Sequence, residues 1–178
     1  MATLTPVQKR FVLHWGEMGT RWGINRTVAE IHALLYLWPE PMHAADIAET
    51  LSVARSNVST SLRELQSWGL VKVVHVMSDR RDHFDSMKDV CEMARVVLDE
   101  RKRREFDPTL QMLRTSVEEL KQSKTDKYTR ERLSEMLEFF DATTSLYAEI
   151  SKVPTGVLKQ FLKVRGKWKD VLAFGRGR

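Results

Sequence analysis

Apolar residues recur at helical spacing through the first seventy positions of the chain. Residues 6–22 carry large apolar side chains at i, i+4, i+7 and i+11, which lie on one face of a helix. These are Phe11, Trp15, Met18 and Trp22. Residues 26–38 repeat the pattern and end at two prolines, and the amphipathic segments 44–51 and 55–69 follow, separated by "SVA". The pattern therefore predicts four helices, of which the last two are joined by a tight turn.

The run "LVKVVHVM", which begins at Leu70, has a different character because it is rich in β-formers. It leads into "DRRD", residues 79–82, and then into "HFDSM". We expect a β-hairpin with the four charged residues at its tip. Taken alone, the charges need no more explanation than a solvated turn.

Beyond Met87 the pattern is helical almost to the end. Two stripes at helical spacing face each other across a polar loop: Leu110, Leu113, Val117 and Leu120, then Leu133, Leu137, Phe140 and Tyr147. Pro108 must kink or restart the helix that precedes the first stripe. A last amphipathic helix is expected from Pro154 through Trp168. Because helices this strongly striped must bury their apolar faces, a two-fold partner is the simplest cover, with packing on the chain itself as the alternative.

The predicted fold is mostly α with a small β-hairpin wing: a winged helix-turn-helix plus a helical dimerisation region. Residues 1–25 form an N-terminal helix that contributes to the dimerisation region, and residues 26–86 form the winged helix-turn-helix. Residues 87–178 form a helical linker and dimerisation domain with a basic C-terminal tail.

The second helix of the helix-turn-helix has two contrasting faces. Its apolar residues Val58, Leu62 and Leu65 point one way. The remaining surface carries Arg55, Ser56, Asn57, Ser59, Thr60 and Arg63. An ordinary exposed face favours long Glu, Lys and Gln side chains, whereas short donors and acceptors with arginine suit a helix in the major groove of double-stranded DNA. In this setting the hairpin becomes a wing, and Arg80 or Arg81 can reach the minor groove or its phosphates.

The composition excludes some classes of protein but does not decide between the others. The chain has 178 residues, a formal charge of +5 and one cysteine, so an internal disulfide is impossible. However, residues 42–85 hold five basic and six acidic residues, so this segment is not net basic. No metal spacing, P-loop or catalytic signature is present, and we expect neither an enzyme nor a cofactor. Without a leader or an 18-residue apolar run, a cytoplasmic protein without a membrane span is expected.

Two other classes fit parts of the pattern. A winged-helix interaction or assembly module would not read DNA and would tolerate substitutions at Ser56, Asn57 and Thr60. An architectural DNA binder would favour lysine and arginine on this helix over short polar side chains.

The stretch "ADIAETLSVARSNVSTSLRELQSWGLVKVVHVMSDRRDHF" resembles the winged helix of MarR-like transcription regulators. The stretches "GEMGTRWGINRTVAEIHALLYL" and "ERKRREFDP" are similar to the GbsR-like branch of that family, and the resemblance spans about residues 8–150. It departs at Ala54, where related sequences often have a capping Ser or Gly.

The resemblance implies a homodimeric repressor or dual regulator whose two recognition helices, residues 55–66 here, enter successive major grooves of a pseudo-palindromic operator. It also implies a small-molecule effector, a quaternary ammonium solute held by aromatic rings. Cation–π binding requires two or three such rings, and the candidates are Trp15, Trp22 and Tyr36. Helical spacing also explains each of them as core. His32, on the buried-looking second helix, is interpreted as a hydrogen-bonded core histidine.

Overall fold

A computed structural model describes residues 3–77, 79–122 and 127–163. The chain forms two compact units, Met1–Val96 and Val97–Arg178. It is mostly helical with one small antiparallel sheet, as the sequence predicts. Within the described ranges, no helix has the length and apolar character needed to cross a membrane.

The first unit combines four helices with three strands. The helices are α1 (Pro6–Arg21), α2 (Arg26–Leu37), α3 (Ala44–Leu51) and α4 (Arg55–Ser67). The strands are β1 (Met42–His43), β2 (Val71–Val76) and β3 (Asp79–Ser86), in the order β1-β3-β2 with both pairings antiparallel. The helix-turn-helix and the hairpin are confirmed, while β1 is an additional strand that the sequence pattern did not reveal.

Helix α2 forms the centre of this unit. All eight of its residues from Val28 to Leu35 are buried, and it packs against α1, α3, α4 and β3. Glycines let α1 approach closely, because a Cβ atom added to Gly16 would lie 2.6 Å from Glu30 Cγ and one added to Gly19 would lie 2.5 Å from Ala29 Cβ. The buried helix therefore fixes the positions of the elements around it.

The N-terminus of α2 is capped by a residue that precedes the helix. Asn25 Oδ1 accepts a hydrogen bond from the Thr27 backbone N–H at 2.8 Å. Glu30, a possible partner of Thr27 in a capping box, instead accepts from Arg26 Nε at 2.7 Å. By contrast, α1 begins with a complete capping box between Thr5 and Gln8.

The charged group of the hairpin lies within a strand and not at the tip. Val76 pairs with Asp79, so only Met77 and residue 78, which is outside the described ranges, separate the strands. The next pair towards the base is Val74 with His83. Three residues of β3, positions 80–82, thus oppose one residue of β2, which is a β-bulge. The expected tip position of "DRRD" is therefore wrong, because a bulge absorbs these residues after the chain has turned.

The helices that follow are α5 (Val90–Arg101), α6 (Asp107–Gln122), α7 (Lys127–Ser151) and α8 (Thr155–Lys163). The boundary between the units falls inside α5. A π-helical segment, Lys102–Phe106, joins α5 to α6, at the place where Pro108 lacks the N–H that a regular helix would use. In the second unit α6 packs against α7, and Arg114 Nη2 donates to Asp141 Oδ1 at 2.7 Å.

Two parts of the sequence interpretation extend beyond these observations. Trp168 and the C-terminal tail lie outside the described residues. Helix α1 packs against α2 in the first unit, and its contribution to a dimer stays a prediction, as do the domain divisions at residues 25 and 86.

The glycine contact between α1 and α2 predicts the effect of a single methyl group. Gly19→Ala should lower the free energy of unfolding by about 1–3 kcal/mol, because the Ala29 Cβ cannot move aside without shifting a helix. Gly156→Ala is the matched control, since a Cβ there meets nothing within 4 Å. Urea denaturation should show a loss for the first variant alone. Equal stability of the two variants would contradict the close packing.

Candidate functional site

The turn between α3 and α4 sets the orientation of the second helix. Ser52 ends α3 in the left-handed conformation with φ of 54°, and the Val53 N–H donates to the Ala48 carbonyl oxygen at 3.0 Å. Residues Val58, Leu62 and Leu65 of α4 are buried, and α4 packs against α2 and α3. The tight turn and the apolar face together leave the opposite side of α4 at the surface.

All six residues predicted for the DNA-contacting surface of α4 are exposed: Arg55, Ser56, Asn57, Ser59, Thr60 and Arg63. Arg63 Nη2 lies 3.4 Å from Thr60 Oγ1, so the arginine lies along this face. Ser61, also short and polar, is buried among the core residues. The N-cap residue, Ala54, supplies no side-chain acceptor to the first turn. The amides of this turn therefore point outward without a side-chain cap.

The wing arginines differ in their surroundings. Arg81 donates from Nε to Asp79 Oδ1 at 2.9 Å, from Nη2 to Oδ2 at 2.5 Å, and from its backbone N–H to Oδ1 at 3.0 Å. These bonds hold the pKa of the Asp79 carboxyl well below its usual range and raise the pKa of Arg81. Asp79 thus fixes the Nε–Nη2 edge of the guanidinium, while Nη1 lies on the far side. Arg80 is exposed in the same bulge.

Lys88 ties the base of the wing to the end of α2. Its Nζ donates to the carbonyl oxygens of Leu35 at 2.6 Å and Trp38 at 2.8 Å, and it lies 3.4 Å from Asp85 Oδ1 in β3. A cation at the C-terminus of a helix also interacts favourably with the helix dipole. This long-range contact was not predicted, since neither helical spacing nor strand alternation relates residues fifty positions apart.

A separate feature of the first unit is an apolar cavity of about 210 Å³. Its lining comes from α1, α2 and the start of α5: Phe11, Trp15, His32, Ala33, Tyr36, Val90 and Met93. Two of the three predicted ligand residues, Trp15 and Tyr36, are thus brought together. Trp22 does not line the cavity; it is 46% exposed and meets the Trp15 ring edge-on at 6.0 Å.

His32 differs from its sequence interpretation. It is only 6% exposed, and its Nε2 has no hydrogen-bond partner among the described residues, so the interpretation as a hydrogen-bonded core histidine is wrong for this nitrogen. Burial, with a smaller contribution from the charge of Lys88, lowers the pKa of His32 from 6.5 to about 4. The imidazole is therefore neutral at physiological pH. The four-residue spacing between His32 and Tyr36 was the available signal that both share one face.

Among the described residues, no group of three or more His, Cys, Asp or Glu side chains is arranged to hold a metal ion. Cys91 is a half-buried free thiol at the start of α5.

The fold from α2 to the charged part of β3 is the region that sequence comparison recognises. Residues 22–82 match the MarR family model. The MarR-like segment thus contains α2, the helix-turn-helix and the Asp79–Arg81 pair, but less than half of the chain. Assignment to the GbsR-like branch stays a prediction.

Structural comparison extends the likeness in fold to most of the chain. A crystal structure described as that of a transcriptional regulator superposes with a TM-score of 0.65 at 18% sequence identity, covering 87% of this chain and 99% of that chain. Curated proteins gave no sequence match. The fold beyond the MarR-like segment is therefore shared with a transcriptional regulator, whereas function must be argued from the surface itself.

Burial of neutral His32 predicts a pH dependence of stability. At His32, the unfolded chain takes up a proton near pH 6.5 and the folded chain only near pH 4. The stability that the neutral imidazole contributes is therefore fully present above pH 6.5 and is lost as the pH falls towards 4. His32 should account for about 3 kcal/mol of the unfolding free energy lost across this window. His32→Leu should remove that part, whereas exposed His14→Leu should not. Urea titrations at pH 7 and pH 4 that give parallel losses for both variants would contradict the assignment.

Proposed function

We propose that the protein is a sequence-specific regulator of transcription that binds double-stranded DNA as a homodimer and acts as a repressor on a pseudo-palindromic operator. The observation that carries the proposal is the exposed polar face of α4 beside a wing that holds Arg81. The MarR family match over residues 22–82 supports the same function. We propose no catalytic activity for the protein, and we place it in the cytoplasm.

The chemistry of α4 suits direct contact with base edges and phosphates. Serine, threonine and asparagine are short enough to let the helix approach the floor of the major groove, and an arginine can form two hydrogen bonds with guanine. The uncapped amides at Ser56 and Asn57 can bind a phosphate, as helix N-termini commonly do. Since such a surface is a poor choice for helix stability alone, DNA binding provides the reason for its composition.

The wing supplies a second contact that depends on the arrangement of its charges. An arginine that is already held by a carboxylate loses little side-chain entropy when it binds, which favours Arg81 over Arg80 for insertion beside a phosphate or into the minor groove. The Asp79 carboxylate also lowers the positive electrostatic potential at the wing. Arg80, exposed on the same bulge, is the alternative contact.

Dimerisation is proposed from the outer face of α7. None of the residues of this helix is fully buried, although one face packs against α6. A second stripe, at helical spacing, is left exposed: Met136, Phe139, Leu146 and Ile150. Phe139 is 65% and Leu146 62% exposed, and contiguous apolar patches on a protein surface commonly mark interaction sites. A second copy with the same stripe would cover it through a two-fold interface.

An effector is proposed for the cavity of the first unit, which Trp15 and Tyr36 both line. Tyr36 belongs to the last turns of α2, whose carbonyls Lys88 binds at the base of the wing. A molecule in the cavity would therefore press on the part of α2 that positions the wing, and could alter DNA affinity by this route.

An interaction module without sequence-specific DNA binding is the second candidate. One observation favours it: the five basic residues between positions 42 and 85 do not outnumber the six acidic ones. Any attraction to DNA must then come from the positions of the arginines on the surface.

Selection from a random pool of duplex DNA tests the proposed function. The wild-type chain should enrich an inverted repeat whose half-site centres lie about 10 base pairs apart, because two helices on a two-fold axis enter successive major grooves. On the selected duplex, Arg63→Ala and Arg81→Ala should each lower the affinity by about tenfold, with a reduced salt slope if the lost contact is to a phosphate.

Arg10→Ala provides the control in that experiment, because Arg10 is an exposed arginine on α1. Its affinity, measured by fluorescence anisotropy, should equal that of the wild type. Failure to enrich any motif at moderate salt would favour the interaction module instead.

Light scattering after size exclusion tests the dimer. The wild-type chain should run as a dimer at micromolar concentration, and Phe139→Glu with Leu146→Glu should give a folded monomer, since each buried carboxylate would lack a partner. Ser145→Glu places a carboxylate at an exposed polar position of α7 outside the apolar stripe and should leave the dimer intact. A monomeric wild type would exclude this part of the proposal.

A further inference from the structure

A buried histidine of the wing lies beside the carboxylate that holds Arg81. His83 is 9% exposed, and its Nε2 lies 3.5 Å from Asp79 Oδ2. We propose that His83 is a positioning residue for Arg81, and that protonation of His83 draws Oδ2 of Asp79 away from the arginine and frees Arg81 Nη2 for a DNA phosphate. The proposal deepens the proposed function, on which it rests only for the effect on DNA affinity.

The contacts of the His83 ring determine which of its nitrogens carries a hydrogen. Its Nδ1 lies 2.9 Å from the backbone carbonyl oxygen of Arg81. Because a carbonyl oxygen only accepts hydrogen bonds, Nδ1 is the donor. In the neutral imidazole, Nε2 therefore presents a lone pair to the Asp79 carboxylate, and the two cannot form a hydrogen bond. A proton added at Nε2 turns this contact into a charge-assisted hydrogen bond.

The two carboxylate oxygens of Asp79 hold different parts of Arg81. Oδ1 accepts from the Arg81 backbone N–H at 3.0 Å and from Nε at 2.9 Å. Oδ2 accepts from Nη2 at 2.5 Å and lies 3.0 Å from Nε. Protonated His83 competes for Oδ2 alone, so Oδ1 continues to orient the guanidinium. The arginine thus remains pre-oriented while one of its N–H groups becomes available.

Protonation also changes the charge of this part of the wing. While His83 is neutral, the charges of Asp79 and Arg81 cancel, whereas with protonated His83 the three side chains carry one net positive charge. Since DNA phosphates attract positive charge, the freed Nη2 and the added charge act in the same direction. DNA affinity should therefore rise as the pH falls through the range in which a histidine changes charge, about pH 8 to 5.

His43 is the second histidine of this cluster. It lies opposite His83 on strand β1, with the ring centroids 5.9 Å apart and an interplanar angle of 58°. Its Nδ1 accepts a hydrogen bond from the Ala45 backbone N–H at 3.1 Å, at the start of α3. Protonation of His43 at Nδ1 would break this cap, whereas protonation of His83 completes a hydrogen bond. His83 is therefore assigned as the group that changes the hold on Arg81.

The elements around β3 also carry residues of fixed charge. On β2, Val74 is opposite His83, and on α2, which contacts β3, burial keeps the pKa of His32 at about 4, so that it stays neutral. Aspartate, glutamate and lysine ordinarily keep one charge between about pH 5.5 and 8. Such residues here are Asp46 on α3, Lys72 on β2, Asp82 and Asp85 on β3, Lys88 after β3 and Glu30 on α2.

NMR of the full chain tests the positioning role without DNA. At pH 8 the His83 ring should be the Nδ1–H tautomer, which is the less common one for a histidine in water. Between pH 8 and 5.5 the side-chain N–H signals of Arg81 should move together with the titration of His83. His83→Asn should remove this movement, because asparagine can still donate to the Arg81 carbonyl oxygen but has no titrating nitrogen beside Asp79.

An Nε2–H tautomer of His83 at pH 8 would overturn the proposal. So would Arg81 signals that stay unchanged in the wild type or that move equally in the His83→Asn variant. If this variant does not fold, the tautomer and the Arg81 titration of the wild type still decide the question.

DNA affinity at two pH values tests the consequence. On the selected duplex, a change from pH 8 to pH 5.5 should raise the affinity of the wild type about fivefold more than that of His83→Asn, and the two should bind equally at pH 8. His75→Asn changes an exposed histidine of β2, and His43→Asn retains an acceptor that can cap α3. Both of these controls should keep the pH dependence of the wild type.

The outcomes separate this proposal from the proposed function. Equal pH dependence of the wild type and His83→Asn, or its loss in His43→Asn instead, would overturn the role of His83 and leave the regulator intact. If the random pool yields no motif, the predicted tautomer and Arg81 titration would still support the positioning role while the regulator is rejected.

Discussion

The burial of the middle of α2, from Val28 to Leu35, is the constraint on which the rest of the first unit depends. Eight consecutive buried residues require neighbours on every side, and α1, α3, α4 and β3 provide them. The helix ends must also be satisfied, and this is achieved by Asn25 at the start and by Lys88 at the end. Because Lys88 lies two residues beyond the end of β3, the same contact that completes α2 also fixes the base of the wing.

This arrangement determines which polar surfaces are free for recognition. Helix α4 uses its apolar side against α2 and α3, so the short polar side chains on its exposed face have no role in that packing. The bulge in β3 brings Asp79 and Arg81 together beside the sheet. Two chemically different surfaces, one of hydroxyls and amides and one of a held guanidinium, therefore lie in one compact unit. Both are expected of a protein that reads bases and phosphates separately.

The part of the structure that local rules govern could be predicted from the sequence. The spacing of Val58, Leu62 and Leu65 assigned the buried side of α4, and from it the exposed residues followed. The helical spacing over residues 6–22 likewise located α1. The aromatic pair Trp15 and Tyr36 was selected for a ligand and does line one cavity, although Trp22 does not.

The features that were missed depend on long-range packing. The bulge in β3 arises from the register with β2, and the two-residue strand β1 exists only because β3 lies beside it. The bonds of Lys88 span fifty residues of sequence, and the lack of a partner for His32 Nε2 among the described residues is a property of its whole surroundings. No periodicity in one segment encodes such contacts.

The central claim is that the polar face of α4 and the adjoining wing form the DNA-binding surface. Hydrogen–deuterium exchange of the full chain, with and without its selected duplex, tests this most directly. The account predicts slower exchange in residues 55–67 and 71–86 with the selected duplex, and a much smaller effect with a scrambled duplex of equal length. Protection that is confined to the second unit, or that is equal for both duplexes, would contradict it.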